Sequence, residues 1–556
     1  MRRLPRPIER ELAKFLGTIG FKDYGRLLWD LPEDTRPARP AAPLAADLCR
    51  QILDQARHDP SVVAFGAAAL PKLQRHVRDL VSARGFSAAD LLDGVEAPVE
   101  VALIVPRLDT PAADRLATLL AMLRQAGATS FVVIVTDERG AQSRAGAIGA
   151  DVSVLSWRER YGGPAQIAAR NLALFVDAIG SPAIISLNDR LGLEMIGQYG
   201  RALKTVHRLY VALDVATDAP LTNIYHLRQT APHATLLALS ETEADALRAH
   251  SAGLDGPGVA VLTDDAAKVF GLSFEDQRSD AARKMTARLL ERDARPIEVA
   301  SPAPAPADTI DITVTITFHN ERELAVPALA SLREMVEAAR REGIKVEARA
   351  VLDNGDDAMR RIIRQHGTFL DDIREVAFGD AAAARNAGTQ AASGRYLAFL
   401  DGDDLWGTDW LVRAYRAAEQ SDDPARTIWH PAAYLTFWAS DCDRASTTAE
   451  PNDSALTALF LQQSDDAPGF EPRDLLFESA WTPSCLAPRA LHLRFPYRLN
   501  DYDRQIGIED WRFNLETLGH AVRHRVVPDT VHLFRMKEGG SFGQMHQARA
   551  LLPLLD

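Results

Sequence analysis

Residues 384–404 read ARNAGTQAASGRYLAFLDGDD, and their order decides what the second half of the chain builds. The stretch reads as a helix, then a strand in the buried apolar run YLAFL (396–400), then an acidic turn. Asp401, Asp403 and Asp404 follow at the carboxyl end of that strand. Carboxylates packed so closely repel one another unless a cation neutralises them. Hard divalent ions such as Mg²⁺ and Mn²⁺ take oxygen ligands and are commonly shared between one or two carboxylates and substrate phosphates. The plain alternative is a solvated acidic turn. Arg385, upstream in the same stretch, offers a contact for an anion.

The flanks repeat the alternation. DITVTITFHN (311–320), KVEARAVLDNGDD (345–357) and IREVAFG (373–379) read as strands separated by helical stretches, which predicts a doubly wound parallel sheet. Ligands of such sheets sit outside the carboxyl ends of the strands, where Thr317, His319, Asp353, Asn354, Asp401 and Asp403 all fall. Downstream, IGIEDWRFNLETLG (506–519) carries an apolar stripe at Trp511, Leu515 and Leu518. Glu509 and Asp510 are thereby placed in a helix's first turn, a position acids favour for the dipole alone.

Together TFHNE (317–321), VLDNGDD (351–357), the 384–404 stretch and IGIEDW (506–511) resemble a family 2 glycosyltransferase with a GT-A fold, over residues 310–540. The resemblance implies an inverting transferase that takes a nucleotide-diphosphate sugar and a divalent cation, Mn²⁺ or Mg²⁺. By position, Thr317, His319, Asp353, Asn354 and Arg385 would line the nucleotide. Asp401 would lie near ribose and metal, and Asp403 would be the principal metal ligand. Asp510 would be the base for the acceptor hydroxyl, with Glu509 beside it. In VPDTVHLFRMKEGGSFGQ (527–544), His532 is a candidate to complete the metal shell, and Arg535 or Lys537 to clamp the diphosphate. Trp481, in WTPSCLAPRA (481–490), is an expected platform for the acceptor, since sugar faces pack on indole. Asn354 stands where an acid is common in this family, which leaves the donor's base open.

Seven further strand-like runs lie between residues 99 and 264: VEVALIVP, SFVVIVTD, DVSVLSW, AIISLND, HRLYVALD, ATLLALS and VAVLTD. They predict a Rossmann-like parallel sheet, yet the first leads into PRLDTPAAD, with neither a dinucleotide fingerprint nor a P-loop. The succession from IISLND to LLALSETEADALR resembles the N-terminal half of a GT-B glycosyltransferase. That implies acceptor binding or scaffolding, because no second half follows. ARPIEVASPAPAPADT (294–309) reads as a stiff linker. At the other end, Leu4, Ile8, Leu12, Phe15 and Ile19 share one helix face, with Arg2, Arg3, Arg6, Arg10 and Lys14 between them. Such a helix either docks on its own protein or lies on an anionic membrane.

Composition bounds the rest. With 63 Lys and Arg against 76 Asp and Glu, the net charge of −13 offers no bulk surface for nucleic acid. Three scattered cysteines support neither a disulfide framework nor a Cys-based zinc site. No apolar run reaches membrane-span length, and MRRLPRPIERELAKFLG lacks a signal peptide's apolar core.

The expected fold class is therefore α/β multidomain: a helical N-terminal region (1–97), a Rossmann-like domain (98–295), a Pro/Ala linker (296–309) and a GT-A domain (310–556). The expected function is glycosyl transfer to a glycan or lipid-linked saccharide in bacterial surface polysaccharide synthesis. The setting would be cytoplasmic, with the inner membrane face as a peripheral contact if the first helix binds lipid. Two rivals stay open, a bifunctional transferase with a second site in 98–295 and a non-catalytic nucleotide-sugar or glycan-binding scaffold.

Overall fold

The structure, a computed structural model, describes residues 44–63, 70, 74–76, 88–95, 99–108, 110–161, 167–213, 230, 232–251, 258–262, 309–438, 458–537, 545 and 548–551. The basic helix expected over residues 4–19 and the linker up to 308 lie outside them. Strands, and helices of ten or more residues, are numbered in chain order. The first are α1 (Ala46–Gln55) and β1 (Gln74–His76). The chain forms two compact units, one from described residues within 81–292 together with Asp501–Gly507 and the described residues from 548 on. The other takes the described residues up to 80, those from 309 to Asn500, and those from Ile508 to 545.

The first unit alternates β2 (Val101–Val105), α2 (Thr110–Gln125), β3 (Phe131–Val135), β4 (Val152–Ser156), α3 (Ala168–Ala178), β5 (Ala183–Leu187), α4 (Arg190–Leu203), β6 (Arg208–Ala212), β7 (Thr235–Ala238), α5 (Glu241–Ser251) and β8 (Val259–Val261). Each of the seven apolar runs is a strand, in the order β4-β3-β2-β5-β6-β7-β8, and every pairing is parallel. β2, β3 and β5 are buried throughout, as continuous apolar runs covered on both faces should be. The order reverses between β2 and β5. There Asp189 caps α4 by accepting the Gly192 N–H at 2.6 Å, and also accepts the Thr136 hydroxyl. Burial pushes the Asp189 carboxyl up to about 6. A Cβ on Gly192 would stand 2.5 Å from Ser186 Oγ, so glycine lets α4 press against β5.

The second unit comprises β9 (Ile312–Phe318), α6 (Ala325–Arg341), β10 (Val346–Asp353), α7 (Asp357–His366), β11 (Asp372–Val376), α8 (Ala381–Ala391), β12 (Tyr396–Asp401), β13 (Leu405–Trp406), α9 (Trp410–Glu419), β14 (Thr427–Trp438), β15 (Ala458–Leu461), β16 (Leu486–Pro488), α10 (Glu509–Gly519) and β17 (Arg523–Met536). Its sheet runs β1-β15-β14-β16-β12-β9-β10-β11, with β17 paired to β13 and β14. β12, β9, β10 and β11 are parallel, so their carboxyl ends share one edge. Residues of β9, β10, β12, α6 and α9 make one apolar core beneath that edge. Among the described residues no helix is long and apolar enough to cross a membrane.

The expected division at 97 and 310 is not the division into compact units. α1 sets Leu48 and Ile52 into a cluster with Leu405, Phe437, Leu459, Val531 and Leu533. Its Gln51 amide donates to the Asp529 carbonyl at 2.5 Å, and Arg50 pairs with Asp409 at 2.7 Å. β1 adds a parallel strand beside β15, Gln74 opposite Leu459. A short amphipathic helix cannot bury its apolar face alone, and this one buries it on a sheet formed more than 300 residues later. Ile52 is fully buried, so Ile52→Ala is expected to cost about 2–5 kcal/mol, read by urea unfolding. A chain beginning at 305 should fail to fold cooperatively, because Phe437 and Val531 lose their cover. Native-like melting of that truncation would refute the packing described.

Candidate active site

Register builds the site's centre. Thr317 of β9 lies opposite Asp401 of β12, and its hydroxyl donates to Asp401 Oδ1 at 3.3 Å. The next residue, Gly402, sits where a Cβ would come within 2.3 Å of the Phe318 ring and 2.7 Å of the Thr317 carbonyl. Glycine is therefore what allows the acidic turn to fold tightly over the strand end.

Arg385 joins the acids at the two ends of the sequence motif set. It stands one turn into α8, whose N-terminus is capped by Asp380 accepting from the Ala383 N–H at 2.8 Å. Only 3% of Arg385 is exposed. Its guanidinium places Nη2 2.7 Å from Asp401 Oδ1 and Nη1 2.5 Å from Glu509 Oε1, and it lies over the Tyr497 ring. Burial works against the charge of Asp401, but the Arg385 guanidinium outweighs it and holds the carboxyl below its usual range. The other Glu509 oxygen accepts the Asn500 amide at 3.1 Å, and Asn500 N–H donates to Asp380 Oδ2 at 3.0 Å. Asp401 and Glu509, 108 residues apart in sequence, thus share one guanidinium.

Asp510 occupies the first turn of α10 as the apolar stripe predicts. Ile508, which starts the helix, has φ +66°, a strained conformation for a β-branched residue. Desolvation, and then the neighbouring Glu509 charge, push the Asp510 carboxyl up to about 7.

The remaining acids are held from β17. His532 is fully buried, with Nε2 2.9 Å from Asp404 Oδ2 and Nδ1 3.2 Å from the Thr482 hydroxyl. Asp404 Oδ1 accepts the Arg535 N–H at 2.8 Å, and burial pushes this carboxyl up to about 6. Arg535 also donates through Nε to the Asp403 carbonyl at 2.6 Å and pairs with Asp59. Lys537 Nζ lies 2.7 Å from Asp403 Oδ2. Glu321 stands near, its carboxylate accepting the His319 N–H at 2.7 Å. Burial and then the Asp403 charge push its carboxyl up.

Among the described residues no three His, Cys, Asp or Glu side chains converge into a ready cage for a metal ion. The donor set still suits a hard divalent cation. Six carboxylates (Glu321, Asp401, Asp403, Asp404, Glu509 and Asp510) outnumber the three permanent cations Arg385, Arg535 and Lys537. Asp401 and Asp403 carry carboxylate oxygens of the type that such ions share with phosphates. His532, a candidate ligand, has both ring nitrogens in hydrogen bonds within the protein.

The nucleotide candidates divide. His319 and Asn354 are exposed at the strand ends. The His319 ring is oriented by donating from Nδ1 to the Asp353 carbonyl at 2.6 Å, and Asn354 is left-handed at φ +54°. Asp353 is different: its carboxylate accepts backbone N–H groups of Phe378 (2.6 Å), Gly379 (2.9 Å) and Asp380 (3.0 Å). It shapes the loop that starts α8. Trp481 corrects an expectation, being 2% exposed and stacked on His524 at 4.2 Å and His430 at 5.1 Å. It is core, not an acceptor platform. Sequence reading passed over Asp59, and no local signal marks it. It also passed over Phe378, an aromatic ring 53% exposed next to the loop that Asp353 holds.

Comparison with known proteins bears on the same residues. The model of the family described as Glycosyl transferase family 2 matches residues 313–428. No curated protein matches the chain significantly. Among solved structures, S. aureus TarS 1–349 in complex with UDP-GlcNAc aligns at 16% identity and TM-score 0.29, over 44% of this chain and 62% of that one. S. aureus TarS aligns at 15% and 0.26, over 41% and 37%. This chain therefore spans less than two thirds of either. Thr317, Asp353, Arg385 and Asp401 all lie inside the family match, so residues 313–428 are a glycosyl transferase family 2 segment.

Proposed function

We propose that the chain is an inverting, divalent-cation-dependent glycosyltransferase acting on a nucleotide-diphosphate sugar and a glycan or lipid-linked acceptor hydroxyl, in bacterial surface polysaccharide synthesis. The observation that carries this is the Arg385 bridge between Asp401 and Glu509. It ties Asp401 to Glu509, whose neighbour Asp510 is pushed up to about 7, and so supports reading the two acidic clusters as one site. Asp510 takes the acceptor proton, the freed oxygen attacks the anomeric carbon, and the bond to the β-phosphate breaks with its electron pair leaving on the nucleoside diphosphate. Attack from the face opposite the leaving group inverts the centre. Asp401 and Asp403 would hold a divalent ion, which would neutralise the charge that develops on the diphosphate.

His319 and Asn354 face the base, Thr317 steadies Asp401, and Asp353 positions the loop. His532 acts on Asp404, not on the ion, since both its nitrogens are taken. The other unit serves acceptor binding or scaffolding in this reading, and the setting is cytoplasmic. Asp403→Ala is expected to remove donor binding and transfer while the melting temperature stays within a few degrees, because its partner Lys537 is partly exposed and can turn to solvent. The check is calorimetry with nucleotide sugars and Mn²⁺; undiminished donor binding would refute the placement. A scaffold predicts donor binding with no turnover in the wild type.

A further inference from the structure

The three acids of the 401–404 turn are neutralised in unlike ways. Asp401 faces Arg385, a residue 3% exposed and anchored at both ends of its fork. Asp404 is enclosed by His532 and the Arg535 backbone. Asp403 faces Lys537, whose side chain retains 27% exposure against 13% for the acid. A lysine is a point charge on a flexible four-carbon stem, so this counter-ion can leave without dismantling the core. It also sits on one of the two carboxylates that the proposed function gives to the metal ion. Burial disfavours the Lys537 charge, but Asp403, then Glu321 and Asp404, keep the ammonium firmly protonated.

We propose that Lys537 is an exchangeable counter-ion. It closes the Asp403 carboxylate in the empty enzyme, yields it when a divalent ion enters, and moves to the diphosphate oxygens that arrive with that ion. This rests on the donor reading above. The physical reason is like-charge repulsion: an ion arriving alone must send Lys537 into solvent without an anionic partner, whereas an ion arriving with a diphosphate brings the partner. Ion and diphosphate are then positively coupled, and the coupling is reciprocal. Free divalent ion binds weakly, and the donor enters as its metal complex.

The test is direct Mn²⁺ binding to the full chain, followed by the paramagnetic resonance of free Mn²⁺ at low ionic strength. Lys537→Gln is expected to bind Mn²⁺ about tenfold more tightly than wild type, and Lys537→Arg, which keeps the charge, to bind as weakly as wild type. Melting curves confirm that all three are folded. Adding UDP, GDP, ADP, CDP or dTDP should raise wild-type Mn²⁺ affinity about tenfold or more for the base the site accepts, and raise that of Lys537→Gln much less. Equal or weaker Mn²⁺ binding by Lys537→Gln, or no Mn²⁺ bound by either, overturns the proposal. So does a wild type whose Mn²⁺ affinity no nucleotide changes. In that case, nucleotide binding that persists keeps the donor reading, and its loss removes both.

Discussion

Asp510→Asn is expected to lower sugar transfer about 10²- to 10⁴-fold and to leave donor affinity unchanged. The amide keeps the size and helix position of the acid but cannot accept a proton. Arg385 ties the 401–404 turn to the neighbouring Glu509, so the donor reading does not rely on the Asp510 side chain. The wild-type pH profile follows from the raised carboxyl. Only the carboxylate form acts as base, so with a value of about 7 the transfer rate should climb nearly tenfold per pH unit on the acid side and level off above about 7.5. Initial rates at saturating donor measure both effects. Full activity in Asp510→Asn, or a rate independent of pH across this range, would remove Asp510 from the base role.

The second large effect is on the fold itself. Arg385→Met should destabilise the second unit by about 3–5 kcal/mol, because breaking a buried ion pair leaves its charges uncompensated. Here two carboxylates, Asp401 and Glu509, lose one shared partner. Arg385→Lys should recover little, since an ammonium cannot reach both acids as the guanidinium fork does. The deficit has a sign in pH. Without Arg385 the Asp401 carboxyl loses the guanidinium that holds it down and protonates more readily in the folded state, so the loss should be larger near pH 8 than near pH 5. Urea unfolding at the two values reads it; a pH-independent loss would point to packing against Tyr497 instead of charge.

The sheet was legible because strand signals are local. Each apolar run between 99 and 264 became a parallel strand, and the acidic turn lies at the end of β12, where YLAFL places it. Asp510 was legible as a first-turn acid, and Arg385 as an anion contact, although its fork meets two carboxylates of the protein. What stayed hidden depends on partners distant in sequence. α1 reads as an ordinary amphipathic helix, and nothing in residues 46–55 says that Leu405, Phe437 and Leu533 wait for it. Trp481 looks like a sugar platform until His430 and His524 are seen to stack on it. Asp353 sits at a strand end like its neighbours. Only the turn at 378–380, which folds back onto its carboxylate, shows that it serves the backbone.

The central claim is that one site holds the donor through the acids near 401 and activates the acceptor through the acid at 510. Its most direct measurement is donor affinity by calorimetry, with Mn²⁺, for wild type, Asp403→Ala and Asp510→Asn, paired with product formation. Loss of donor binding in Asp403→Ala, and wild-type donor binding without product in Asp510→Asn, is the predicted pattern. Donor binding that survives Asp403→Ala and tracks substitutions at the β2–β5 switch point instead would contradict it.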